Sequence, residues 1–169
     1  MLVFGQQKFL TQQTMISLQT ILNYFKPKEK VKLVKMKLSL INKALPVGST
    51  SSKKNGVIYL GSSYEKYVID EDYSSCSLTE FKELLKADFT NWKIYHKDYD
   101  CDNFAFKLHS NLKDKYPTLA LGIVFSKAHA FNIFIDKFGK AHYIEPQNDK
   151  IYSFNQLTKL YDSIKLILI

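Results

Sequence analysis

The feature that most constrains this chain is a turn, Asp136-Lys137-Phe138-Gly139-Lys140, set between alternating runs at 129–135 and 141–145. A turn centred on Phe138 pairs Ile135 with Ala141, Ile133 with Tyr143, and Phe131 with Glu145. Side chains alternate faces along a strand, so His129, Phe131, Ile133 and Ile135 share a face with Ala141, Tyr143 and Glu145. His129 and Glu145 become diagonal neighbours, roughly 7–8 Å apart at the backbone and within reach of a glutamate side chain. A slip of one residue would part them; His142 points to the opposite face in this register.

Around this hairpin, 118–125 and 164–169 read as further strands, and 57–60 as a short one. Ser77-Leu78-Thr79-Glu80 is a capping box that opens a helix through about Lys86. Asp98-Tyr99-Asp100-Cys101-Asp102-Asn103 introduces a second helix, with Phe104, Ala105, Leu108 and Leu112 as its apolar stripe and Pro117 beyond its end. Ser153 caps a short third helix. Upstream, apolar residues between Phe9 and Phe25 recur at helical spacing until Pro27. Residues 30–41 fit either a strand with a slip at Leu33-Val34 or a basic amphipathic helix. The Gly, Ser and Lys of 46–56 have linker composition, which divides the chain into a basic extension, 1–55, and a body, 56–169.

The chain has 169 residues with 46% hydrophobic content, enough for one core and too much for a disordered or fibrous protein. All 24 basic residues are lysines. Without the planar fork of arginine the chain is poorly equipped for sequence-specific nucleic-acid recognition. Ten lysines and a single acid, Glu29, precede Gly56, while the rest of the chain is nearly neutral. That field suits an acidic partner or an anionic surface, or is simply a solvated lysine face. Two cysteines are too few for a disulfide framework, and polar residues interrupt every apolar run, so no membrane span is expected. No secretory leader is evident, which places the protein in the cytoplasm or has it released without a signal peptide.

The chemistry-bearing residues come in the order Cys101 at a helix start, His129 at a strand start and Glu145 on the next strand. A thiol attacks, an imidazole moves the proton, and a carboxylate holds the ring. A helix N-terminus lowers a thiol pKa, whereas Asp98, Asp100 and Asp102 oppose it, so these acids cap the helix or bind a cation. Cys76, His96, His109 and His142 read as structural, and most of the aromatics as core filling.

Tyr99-Asp100-Cys101-Asp102-Asn103-Phe104-Ala105, His129-Ala130-Phe131-Asn132 and Tyr143-Ile144-Glu145-Pro146-Gln147 resemble the family of papain-like domains typified by the C-terminal domain of the Marasmius oreades agglutinin. The resemblance covers about the last half of the chain. It implies an α+β papain-like fold, with the Cys helix packed on an antiparallel sheet that carries His and Glu. It also implies a peptide or protein substrate, Cys101 as nucleophile, His129 as base, Glu145 as third member, and dependence on Ca2+ or another divalent cation. Asp100 and Asp102 are the candidate ligands of that cation. One departure is that no Gln precedes Cys101 in Trp92–Lys97 to complete an oxyanion hole, although the Cys101 amide supplies one donor. The expectation is a cysteine peptidase or amidase, with a peptidoglycan amidase as a variant. The alternatives are a catalytically weak papain-like module docking through its lysine-rich N-terminal segment, and non-specific polyanion binding.

Overall fold

The computed structural model describes residues 31–45, 65–154, 156–157 and 164–169. The chain divides into two units, Met1–Lys30 and Val31–Ile169. The first unit lies outside the described residues, as do the expected helix between Phe9 and Phe25, the linker 46–56 and the strand 57–60.

In the second unit the elements run β1 (Val34–Met36), α1 (Leu38–Ala44), β2 (Glu65–Tyr67), β3 (Tyr73–Ser75), α2 (Leu78–Lys86), a 3-10 turn (Thr90–Trp92) and α3 (Cys101–Lys115), followed by β4 (Leu121–Ser126), β5 (Ala130–Ile135), β6 (Ala141–Glu145), β7 (Lys150–Tyr152) and β8 (Ile164–Leu168). Six strands form one sheet in the order β2-β8-β4-β5-β6-β7, and β1 pairs with β3 in a small second sheet. Among the named strands only β2 and β8 run parallel, and the other strand pairings are antiparallel. The class is mixed α+β.

The hairpin forms in the expected register, with Ile135 opposite Ala141 and Ile133 opposite Tyr143. Its turn closes on Gly139, whose φ of 79° lies in the left-handed region that glycine occupies without penalty. Ser77 caps α2 through the capping box, its hydroxyl oxygen accepting from the Glu80 amide while the Glu80 carboxylate accepts from the Ser77 N–H. Helix α2 spans Leu78–Lys86, ending where the sequence places it.

Helices α2 and α3 cover one sheet face. Phe81, Leu84 and Leu85 join Leu108 and Leu112 against Phe134 and Ile144, and the Phe81 and Phe134 rings stack at 3.8 Å. Asn132 ties α3 to this face, donating from Nδ2 to the carbonyls of Ala105 (3.0 Å) and Gly122 (3.2 Å). The opposite face buries Phe131, Ile133, Ile135 and Tyr143 against Met36, Ile41 and Leu45. Residues 34–45, read from the sequence as part of the extension, therefore contribute to the core of this unit. Each such side chain, fully buried, contributes about 1.5–3 kcal/mol.

Where 30–41 had two readings, the chain uses both in succession, a strand at Val34–Met36 and then a helix at Leu38–Ala44. The strand expected over 118–125 starts later, at Leu121, because residues 118 and 120 bond to Ser74 instead: the Ser74 amide donates to the Thr118 carbonyl and the Ala120 amide to the Ser74 carbonyl. Among the described residues no helix is long and apolar enough to cross a membrane.

Candidate functional site

Cys101 is the first residue of α3, and the backbone entering it is held by its own side chains. Asn103 Oδ1 accepts from the Asp100 amide at 3.0 Å, and Asp102 Oδ1 accepts from the Asn103 amide at 3.0 Å. Negative charge at this end of a helix is stabilising, which accounts for acids here without further function. The neighbouring Asp102 carboxyl, by hydrogen bonding to Asp100, holds the Asp100 carboxyl above the usual range. Two adjacent acids suit a hard cation, but Ca2+ takes six to eight oxygens. Among the described residues no group of three or more His, Cys, Asp or Glu side chains converges as a metal site does, so Asp100 and Asp102 form at most part of one.

Cys101 is half-buried and packs against the cluster of Ala105, Ile123 and Ala130. Both cysteines are free. Cys76 is enclosed in the α2–α3 layer, where burial, and then the charge of Glu80, push its thiol up to about 12.

His129 leaves the β4–β5 connection, which Ser126 fixes from both sides. Ser126 Oγ accepts from the His129 amide at 3.1 Å and donates to the His129 carbonyl at 3.0 Å. The hairpin register then carries Glu145 alongside, and His129 Nε2 meets Glu145 Oε2 at 2.7 Å. The ring lies over Phe131, 6.0 Å between centroids. Glu145 Oε1 accepts from the Gln147 amide at 3.3 Å. The structure thus joins His129 with Glu145. Cys101 packs on the cluster of Ala105, Ile123 and Ala130, the last being the residue that follows His129 in the chain.

A second concave region was not foreseen. A cleft of about 310 Å³ opens between the 3-10 turn and α3, lined by Asp88, Phe89, Lys93, Lys107, Asn111 and Asp114 among others. Asp88 is buried at its base, accepting from the Thr90 amide on Oδ1 (2.9 Å) and from Asn111 Nδ2 on Oδ2 (2.7 Å). Beside it, Phe89 and Trp92 touch at 4.6 Å between rings, and Trp92, Ile94 and Tyr95 are 68%, 81% and 55% exposed. The reading of the aromatics as core filling fails for this segment. Its signal was available: four large apolar residues within seven positions, interrupted by Thr90, Asn91 and Lys93, follow the end of α2 without helical or strand period.

The fold is an α+β arrangement that solved lectin structures share. One solved structure similar to the chain is described as a PSL1a-E64 complex, with a TM-score of 0.60 and 18% identity over 80% of this chain and 51% of that one. Another is the Polyporus squamosus lectin bound to the human-type influenza-binding epitope Neu5Acα2-6Galβ1-4GlcNAc, with a TM-score of 0.52 and 21% identity over 63% of this chain and 42% of that one. This chain therefore spans about half the length of each. No protein-family model matches the chain, and no curated protein does.

These findings correct the expectation of a cysteine peptidase or amidase, peptidoglycan amidase included, working through Cys101, His129 and Glu145 as a hydrolytic triad. The similar structures are described as a PSL1a complex and as a lectin, neither as a peptidase, and no family model, a protease's included, matches the chain. The weakly catalytic module docking through its lysine-rich N-terminus finds no support in them either. Most of that lysine-rich segment lies outside the described residues.

Proposed function

We propose that this chain is a binding module for an acidic glycan, seated in the cleft between the 3-10 turn and α3. The observation that carries this reading is the exposed Phe89–Trp92 pair beside a cleft whose wall offers both lysines and carboxylates. Sugars present apolar C–H faces, which stack on exposed aromatic rings, and hydroxyls, which carboxylate and amide groups match. Lys93, Lys107 and Lys115 supply the charge that a sugar carboxylate pairs with. The sialylated epitope in the Polyporus squamosus lectin structure supports the ligand class.

Trp92 is the sole tryptophan and touches Phe89 of the cleft wall, so its fluorescence reports on the edge of this cleft. Titration with the sialylated trisaccharide should shift its emission, and the asialo sugar should bind more weakly. Trp92→Ala, followed by calorimetry, should weaken binding about tenfold. Absence of heat and of any fluorescence change at millimolar sugar would end this reading.

A second reading is favoured by the 2.7 Å His129–Glu145 bond and by the E64 complex of PSL1a. In it Cys101, His129 and Glu145 form one thiol–imidazole–carboxylate ligand site, in the agglutinin-related, papain-like arrangement that the motifs resemble, with Asp100 and Asp102 as partial ligands of a divalent cation. Mass spectrometry of the chain with E64, with and without Ca2+, tests it. Binding lost in Cys101→Ser and kept in Cys76→Ser is expected, and equal behaviour of the two variants would remove it.

A further inference from the structure

The turn between β6 and β7 carries Asp149 with a φ of 56°, in the left-handed region, and its carboxyl meets the 3-10 turn that bears Trp92. Asn91 Nδ2 donates to Asp149 Oδ2 at 2.7 Å. The other end of the same amide, Asn91 Oδ1, is buried and has no hydrogen-bond partner among the described residues. A buried acceptor left empty is costly, and turning the amide over would only set its oxygen against a carboxylate oxygen. A carboxylic acid removes the conflict, since one of its oxygens accepts from the amide N–H while its O–H donates to the amide oxygen.

We propose that Asp149 carries a proton and closes a cyclic acid–amide pair with Asn91, a latch that holds the 3-10 turn to the β6–β7 turn and opens when the proton leaves. The surroundings agree. Asp88, on the loop after α2, is the charge that faces Asp149. Burial, and then that charge, push the Asp149 carboxyl up to about 6. Tyr99, on the bend before α3, feels the same Asp88 charge, and burial raises its hydroxyl as well. From α3 comes the neutral Asn111, already spent on Asp88, and Lys150, next to Asp149 in the chain, is exposed. Nothing cationic among these described groups favours the ionised form. The sign follows: with its folded value raised, the group holds the latch closed below about pH 6, and the closure is lost as pH rises through that value. The cleft's aromatic wall is thereby tied to pH, whatever ligand it takes.

The test uses the ligand-free chain, so its outcome is independent of glycan binding. His96→Gln is the background, which removes the imidazole at the end of the strip. Protection of the amides of residues 90–93 from hydrogen exchange, corrected for intrinsic rate, is measured from pH 4.5 to 7.5 together with Trp92 fluorescence. Protection should fall about tenfold with a midpoint near 6. Asp149→Asn places an amide where the acid stood, in a backbone region that asparagine tolerates, and should keep the protection at every pH. Asp149→Ala should show the low value throughout. A flat wild-type profile, a transition that persists in Asp149→Asn, or protection that rises at pH 7.5 on adding Ca2+ would each overturn the latch, the last in favour of a shared cation.

Discussion

One hairpin carries two histidine–carboxylate pairs, and they are wired for different ends. His142 Nε2 meets Asp136 Oδ2 at 2.8 Å and His129 Nε2 meets Glu145 Oε2 at 2.7 Å, so distance does not separate them. They lie on opposite faces: His142 rests on Phe134 under the helices, and His129 rests on Phe131. Asp136 is consumed by its own turn, since Oδ1 accepts from the Phe138 and Lys140 amides while Oδ2 takes His142. Both side chains of that pair are 7% exposed, whereas the His129 ring is 16% exposed. The same residue types thus make a closed structural joint on one face and, at the end of the sheet, a pair whose imidazole still reaches solvent.

The largest effect that would sharpen this contrast is on stability. Asp136→Ala leaves two turn amides and a buried imidazole without an acceptor, and should cost about 3 kcal/mol in denaturant unfolding. Glu145→Gln keeps an acceptor beside His129 and should cost about 1 kcal/mol, read in the same way. Equal losses would break the comparison. A third expectation concerns acid. Burial works against ionised Asp136, but the bonds from His142 and the two amides prevail and hold its carboxyl below the usual range. Its folded value being depressed, the stability it contributes is fully present above the ordinary value of 3.8 and is lost as pH falls through the lower folded one. Asp136→Asn should therefore flatten the acid limb of the stability profile, measured by urea midpoints below pH 4. Smallest of all is the exposed Lys35–Asp72 ion pair, 2.6 Å apart with side chains 77% and 66% exposed. Asp72→Asn should leave the midpoint unchanged within error.

Local rules and single-turn geometry made much of this molecule legible. The capping box set the start of α2, and Gly139 set the register that brings His129 to Glu145. What stayed hidden depended on distant partners. β1, β3 and β7 are three residues each, too short for a period to declare itself, and β1 exists because β3 pairs with it. Asp136 could be seen as a turn residue but not as the partner of His142. The Asp88 cleft was hidden because Lys107, Asn111 and Asp114, which form its other wall, come from another helix. Cys101, although placed at the start of its helix, joins the cluster of Ala105, Ile123 and Ala130 through packing that no spacing rule contains.

The sheet's strand order has a consequence for how the molecule is assembled. Strands β4 to β7 form a meander of neighbours, so each new strand finds its partner just behind it. β8 is different, because it enters between β2 and β4, pairing Glu65 with Leu166 on one side and Ile123 with Leu168 on the other. Such remote pairings are slow to find. During synthesis on the ribosome the meander can therefore gather while β4 keeps one raw edge, and that edge is sealed only when β8, made after it, slots in, drawing β2 along with it.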